Sequence, residues 1–544
     1  MKCFYSLFLI VLSFSAFSQN KKETATPLAS SPKLVVGIVV DQMRYDYLYR
    51  YAAKYGNGGF KRLMNDGFNC KNNHYHYAMT TTGPGHAAIY TGSVPAINGI
   101  VGNEWFDPLA NRNVYVVEDS TVVGVGADSG TEGKMSPKNL LTTTITDQLR
   151  LSNDFKSRVF GVSIKDRGAV LPVGHAGNAA YWFDAKSGNW ISSTYYMKDL
   201  PKWAKNFNAQ KIPDKIIAQK WETLLPISEY TESEEDNQPY ESSLPQESAP
   251  IFPHTLKSYF TIPVSPFGNT MTKDFALAMM KNENMGKGNF TDFLCVSFSS
   301  TDYIGHSFGT HAVEIQDCYL RLDRDIEDLL KNLDQQVGKG NYLVFLTADH
   351  GVAEIPDYFK KHNIPAGVAN SSKDSKFLNT QLEKALGEGN WIKSMNNYQI
   401  YIDHDLMKQK KVSFQQIQDV LNENLLTLGS PVRDVINFHD MANVVIPDYY
   451  RSYINNIYNP KLSGDFFIWL EPAWFYGSTK GTTHGTLYAY DTHVPLLFYG
   501  WKIPKGHTVE RTHISDIAPT LATLLNILEP NGTVGKPIPA VFKD

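Results

Sequence analysis

The sequence predicts an α/β fold, a mostly parallel central sheet flanked by helices on both faces, interrupted by inserted cap regions. Three observations predict it. Short apolar runs rich in β-branched residues recur with helical stretches between them, the pattern of parallel strands joined by crossover helices. Five of these read as core strands: Leu34 to Val40, Val159 to Ile164, Phe293 to Phe298, Tyr342 to Leu346 and Val494 to Tyr499. Acids and histidines close several of the runs, and strand ends are where open α/β sheets place their chemistry.

The clearest helix spans Val313 to Leu333. Ile315, Tyr319, Leu322, Ile326, Leu329 and Leu333 step by three and four residues and form one apolar stripe. Its acids Asp317, Asp323, Asp325, Glu327 and Asp328 read mostly as the solvated face. A second helix is expected from Ile514 to Leu525, with Asp516 near its start and Pro519 in its first turn.

Residues 1–18 read as a signal peptide: Lys2 precedes an apolar stretch from about Phe4 to Phe17, and small residues follow. No later segment approaches the ~20 uninterrupted apolar residues of a membrane helix. The mature chain is therefore expected to be exported, in the periplasm, without stable membrane association. Cys3 lies before the apolar stretch, which argues against a lipid anchor. Cys70, Cys295 and Cys318 remain and allow one disulfide at most. The formal charge is −4, or −5 once Lys2 is removed, and aromatic content is 12%, so nucleic acid is not an expected partner.

At 544 residues the chain is long for one domain, but its candidate ligands span almost all of it, favouring a single interrupted domain over residues 19–544. Insertions are expected at about 170–253 and 370–477. The first contains Glu232 to Pro250, polar and acidic with three prolines, read as an exposed loop. The second is rich in Asn, Tyr and Lys and offers no ligand candidates by sequence.

Seven residues able to bind metal are Asp41, Thr82, Asp302, His306, Asp349, His350 and His484. Asp302 and His306 follow the Phe293 to Phe298 run at a spacing of four, suited to one helical turn or a tight loop, and His484 could complete that set. Asp349 and His350, with Asp41, would form another, and Gly351 suits a sharp turn after them. A lone Asp-His pair is more often a loop hydrogen bond, but three clusters at strand ends together point to a two-metal site.

Thr82 lies in TTTGPGH, residues 80–86, where Gly83 and Pro84 suit a turn into a helix. A hydroxyl there meets free backbone N–H groups and a positive dipole end, and bound to metal it becomes a competent nucleophile. Helix capping is the plainer role for these threonines. Lys165 and Arg167 alternate at a strand end and leave on the same face, able to clamp phosphoryl oxygens; a surface pairing with Asp166 is the alternative. Asn103, in a glycine-bracketed loop, could donate to the same oxygens or simply shape a turn.

These residues resemble the two-zinc set of the alkaline phosphatase superfamily, which also holds nucleotide pyrophosphatase/phosphodiesterases. The nearer likeness is to the bacterial periplasmic phosphate-irrepressible alkaline phosphatases with a threonine nucleophile. It runs through KLVVGIVVDQMRYDYL (33–48), TGSVPAINGIVG (91–102) and residues 342–351. The resemblance implies an alkaline phosphatase-like fold and two Zn2+ per chain. One would lie among Asp41, Thr82, Asp349 and His350, the other among Asp302, His306 and His484. Thr82 would be the nucleophile, and Asn103, Lys165 and Arg167 would bind substrate. Sulfatases of the superfamily need Cys or Ser in a Cys/Ser-Xaa-Pro-Xaa-Arg motif, and this chain has TGPGH instead.

The expected function is hydrolysis of small-molecule phosphate monoesters through a covalent phosphothreonine at Thr82. A phosphodiesterase or nucleotide pyrophosphatase is the near alternative, and a non-catalytic zinc- or phosphate-binding protein the distant one. The sequence leaves the oligomeric state open, with a monomer slightly favoured, and reads His86 and His493 as structural residues or as supports to the ligands.

Overall fold

The computed structural model describes residues 30–127 and 130–542. The expected signal peptide and Cys3 lie outside the described residues. Ten strands form the main sheet: β1 Leu34–Val40, β2 Phe68–His74, β3 Gly124–Val125, β4 Val159–Ser163, β5 Ala179–Asp184, β6 Asn189–Ser193, β7 Asp292–Phe298, β8 Tyr342–Thr347, β9 Leu496–Gly500 and β10 Gly506–His513. Their spatial order is β10-β2-β9-β8-β1-β7-β4-β5-β6-β3. The middle, β8-β1-β7-β4-β5, is parallel throughout. Every residue of these five strands is buried, as a sheet covered on both faces requires.

The flanks differ from expectation. β9, anticipated among the core strands, runs antiparallel to β8 and β2, and β6 is antiparallel to both β5 and β3. The sheet is thus mixed with a parallel heart. β5 and β6 also correct the insertion expected from about 170, since residues 179–193 belong to the main sheet. Residues 232–250 are not simply exposed either: Tyr240, Glu241 and Leu244 are buried.

Five helices matter below: α1 Thr82–Thr91, α2 Asp166–Val173, α3 Ser300–Phe308, α4 Val313–Leu333 and α5 Ile517–Leu525. α5 follows a short 3-10 turn over Ile514–Asp516, so the helix expected from Ile514 is divided near its start. α1 packs against α2 and α5, whereas α4 packs against α3 and the helix Phe267–Asn282. Gly37 on β1 admits α1 closely, because a Cβ there would lie 2.5 Å from the Tyr90 hydroxyl.

All six expected stripe residues of α4 are buried. Three of the five acids expected on the solvated face are buried as well. Asp323 accepts from the backbone N–H groups of Gly56 and Phe60, and Asp325 accepts from Thr270. Asp317 accepts from Trp221 Nε1 at 2.7 Å, Leu224 N at 2.6 Å, Tyr230 OH at 2.5 Å and Arg321 Nε at 2.7 Å. Periodicity finds the apolar stripe but cannot see donors that arrive from residues 221–230. Asp317→Ala would strand several of those donors, and a loss of about 3 kcal/mol is expected, read from the urea midpoint. An unchanged midpoint would show that water satisfies them.

A second, four-stranded sheet lies within residues 392–470, formed by Ile392–Asn396, Gln399–Ile402, Phe466–Leu470 and Val432–Asn437 in that order. It has its own apolar core around Leu378, Trp391, Ile417, Leu421 and Ile468.

Candidate active site

The carboxyl ends of the parallel strands bring together all seven ligand candidates and the three expected substrate-binding residues. Asp41 follows β1, its N–H donating to Phe298 O at the end of β7. Asp302 and His306 stand in the first and last turns of α3, directly after β7. Asp349 and His350 follow β8, and Lys165 and Arg167 sit where β4 passes into α2. His484 arrives from the long excursion before β9.

Thr82 is the first residue of α1, after an extended Thr81. The helix can approach this closely because position 85 is glycine: a Cβ there would lie 2.2 Å from Asp349 O. Gly351 has a similar role. It was expected to make a sharp turn, but its importance is proximity, since a Cβ would lie 2.2 Å from Tyr490 O and its N–H donates to Asp491 O at 2.7 Å.

The Thr82 hydroxyl is buried and flanked by two cations, Lys165 Nζ at 3.4 Å and Arg167 Nη2 at 3.5 Å. Arg167 is steadied by Tyr115, whose hydroxyl is 3.0 Å from Nη1 and donates to Asp166 at 2.5 Å. Lys165 also lies 2.7 Å from Asp41 Oδ2 and 2.5 Å from Asp302 Oδ2, so its ammonium bridges the two expected ligand sets. Asn103 accepts at Oδ1 from Gly83 N at 2.7 Å, which leaves its amide hydrogens for a ligand. That bond, with Pro84 lacking an N–H, removes most of the free backbone donors anticipated at this helix end.

The three histidines share one arrangement. Nδ1 of His306, His350 and His484 lies 2.8, 2.9 and 2.8 Å from the carbonyl oxygens of Thr482, Gly351 and Thr80 respectively. A proton held there leaves each Nε2 lone pair facing the carboxylates, the orientation that metal-binding imidazoles need. Those Nε2 atoms lie 3.2 Å (His306) and 3.5 Å (His484) from Asp302 Oδ1, and 3.4 Å (His350) from Asp41 Oδ1.

Buried ligand atoms are left without hydrogen bonds: both Asp41 oxygens, Asp349 Oδ2 and His350 Nε2. Asp41 Oδ2 meets Lys165 only as an ion pair, off hydrogen-bond alignment. Oxygen and imidazole donors oriented inward with no partner fit divalent cations such as zinc. Ligand atoms of Asp41, Asp349 and His350 fall within 4.8 Å of one another, as do those of Asp302, His350 and His484. His350 therefore faces both sets, and its assignment to one rests on the resemblance alone.

Electrostatics agree with a shortage of positive charge. Burial raises the Asp41 carboxyl, but Lys165 and His350 together outweigh it and hold the group at about 2. Burial acts on Asp302 in the same way, and His306 and Lys165 carry it well below the usual carboxylate range. At Asp349 burial and then the Asp41 charge outweigh the pull of Lys165 and push it well above that range. Lys165 is held above its ordinary value by Asp302 and Asp41 despite burial. One lysine cannot neutralise three buried carboxylates.

Sequence reading missed Gln42. Its backbone is left-handed, φ +62°, a conformation rare outside glycine. That turn lets its N–H reach Asp349 Oδ1 at 3.2 Å and its Nε2 reach Asp302 Oδ1 at 2.8 Å, tying the two sets together. Nothing in a glutamine after an aspartate announces this. His86 lies beneath the site, with Nε2 2.9 Å from Ser297 Oγ and Nδ1 2.9 Å from Thr82 O and 3.4 Å from Asp349 Oδ2. His493 stands apart, stacked between Tyr45 and His74.

The profile of the type I phosphodiesterase / nucleotide pyrophosphatase family matches residues 35–496. Alkaline phosphatase PafA of Elizabethkingia meningoseptica is 45% identical, over 98% of this chain and 98% of that one. A protein of Myroides odoratus named calcium-transporting ATPase is 46% identical, over 99% of this chain and 97% of that one. The crystal structure of wild-type PafA superposes with a TM-score of 0.92, covering 94% of this chain and 99% of that one. A second PafA structure carries four replacements, a threonine by serine and an asparagine, a lysine and an arginine by alanine. Their intervals along that chain equal those separating Thr82, Asn103, Lys165 and Arg167 here.

Proposed function

The chain belongs to the type I phosphodiesterase / nucleotide pyrophosphatase family, and within it we infer that the protein is an alkaline phosphatase, hydrolysing phosphate monoesters to alcohol and inorganic phosphate. The observation that carries the mechanism is the Thr82 hydroxyl, held between Lys165 and Arg167 beside inward-facing carboxylates and imidazoles.

In the first step Thr82 Oγ1 bonds to phosphorus as the ester P–O bond breaks. The hydroxyl proton ends on the departing alcohol, leaving phosphothreonine. Water then attacks the phosphorus, Thr82 regains its proton, and inorganic phosphate leaves. Lys165, Arg167 and the Asn103 amide meet charge on the non-bridging oxygens. Gln42 holds the Asp349 and Asp302 carboxylates in fixed relation. Asp41, Thr82, Asp349 and His350 would hold one cation, and Asp302, His306 and His484 a second, zinc being the ion their donors suit. When bound, the pair supplies Lewis-acid polarisation of the attacking and leaving oxygens.

The phosphodiesterase reading draws on the family description. A diester carries an organic group on an oxygen that Lys165 and Arg167 would otherwise pair with as charge. Bis-p-nitrophenyl phosphate is thus expected to show a kcat/KM at least about 100-fold below that of p-nitrophenyl phosphate. A clear diester preference would overturn the monoester assignment. The name calcium-transporting ATPase shares phosphoryl transfer with this chemistry, and no helix among the described residues is long and apolar enough to cross a membrane. Export to the periplasm is part of the proposal and rests on residues 1–18 alone. Residues 19–544 are read as one interrupted catalytic domain acting on small-molecule phosphate monoesters, with zinc as its cofactor.

A further inference from the structure

Residues 370–477 offered no ligand candidates by sequence, yet the second sheet carries a convergent cluster that shares no residue with the site above. Asp465, just before the strand Phe466–Leu470, lies with Oδ1 2.8 Å from His404 Nε2 and 2.7 Å from His439 Nε2. Its other oxygen accepts from Ile402 N at 2.8 Å, which fixes the carboxylate plane. His404 opens the helix His404–Lys410, and His439 lies in the 3-10 turn Phe438–Asp440. The three residues are more than sixty positions apart at their extremes, so only the fold assembles them.

The imidazoles are positioned from outside the cluster. Phe414 stacks on His439 at 3.8 Å between centroids and 12°, and meets His404 edge-on at 5.5 Å and 81°. The Asn437 side chain accepts from His439 N at 2.9 Å, fixing that backbone. A cavity of about 510 Å³ opens onto all three residues and is lined also by Lys393, Asp403 and Tyr401.

We propose that His404, His439 and Asp465 form a third metal site, taking a divalent transition-metal ion of the zinc class with an open coordination position toward this cavity. Two imidazole nitrogens and one carboxylate oxygen are the three-ligand set that leaves room for water or an exogenous ligand. The ligand atoms already lie within 4.8 Å of one another. An ion with bonds of ~2.0–2.2 Å needs its ligand atoms only slightly farther apart than these hydrogen-bond distances. His404, whose side chain is 60% exposed, is free to supply that movement. Each neutral ring exchanges an Nε2 proton for one on Nδ1, so neither charge nor composition changes. No hydrogen bond occupies either Nδ1 among the described residues. The ion would add a direct link between the helix that opens at His404, the turn at His439 and the strand that follows Asp465.

The test counts metal. The purified mature chain is stripped by chelator, reloaded with excess zinc, desalted and analysed by plasma mass spectrometry beside His404→Ala/His439→Ala and Asp465→Asn. The wild type is expected to retain one more zinc per chain than each variant, while turnover of p-nitrophenyl phosphate stays within about twofold. Should the double variant fold poorly, His404→Gln at the exposed position serves alone, with circular dichroism to confirm its fold. Equal zinc in the wild type and a folded variant would overturn the proposal. Cobalt loading gives a second readout: visible bands of a four-coordinate ion are expected to shrink by one site's share in the variants, and identical spectra would also overturn it.

Discussion

Thr82→Ala is expected to lower kcat/KM for p-nitrophenyl phosphate by at least about 10⁴-fold, because a nucleophile acting within a unit cannot be replaced by its neighbours. Its oxygen is approached by both Lys165 and Arg167, at 3.4 and 3.5 Å, although carboxylates lie within reach of the same lysine. The side chain is buried at the start of a helix whose approach depends on Gly85. A threonine there purely for capping would leave a different pattern: its side chain would accept from the backbone of the first turn, and no such bond is formed by Thr81 at the helix cap. Alanine keeps the helix, the clamp and the carboxylates, so inhibition by inorganic phosphate and bound metal should change little. Serine restores an oxygen and should recover most of the rate. Acid-quenched reactions with labelled substrate should trap phosphate on the wild-type chain and none on the alanine variant. Near-full turnover by Thr82→Ala would sink the assignment.

The parallel heart of the sheet was legible because β-branched runs in doubly covered strands leave little alternative. β1, β7 and β8 match their apolar runs to within a residue or so at each end. The flanking strands were harder. β5 and β6 carry Asp184 and the short mixed run Asn189 to Ser193, which read as insertion until pairing placed them in the sheet. Asp41, Asp302, Asp349 and His350 were legible for a local reason, each following a strand of the parallel heart by a few positions. Gln42 was not, since its importance depends on a left-handed backbone that sequence does not mark. Asp317 and the cluster of His404, His439 and Asp465 were missed for a shared reason. Their partners are distant in sequence, and periodicity reports only which face a residue takes, not what comes to meet it.

Removing the proposed cations is expected to abolish turnover, to below about 1% of the loaded enzyme, with zinc restoring it. The residues themselves explain why Lys165 cannot serve in their place. Its ammonium already reaches Asp41 and Asp302, which leaves Asp349 and the inward Nε2 of His350 with no positive partner. In that state Lys165 is spent on carboxylates, and its charge is not free to meet a phosphoryl group that is itself anionic. Cations seated among the carboxylates would release it toward the Thr82 oxygen, where Arg167 already points. The stripped protein should also be less stable, because buried carboxylates would repel one another with a single lysine among them, and removing one partner of a buried ionic cluster costs roughly 3–5 kcal/mol. Both effects are checked on one sample, by steady-state turnover and urea midpoint before chelation, after it and after zinc addition. Full activity with less than a tenth of an equivalent of metal would place the chemistry on Lys165 and Arg167 alone. Activity lost with no change in the midpoint would instead mean that water, or protonation of Asp349, compensates the buried charge, and that the cations serve the reaction without supporting the fold.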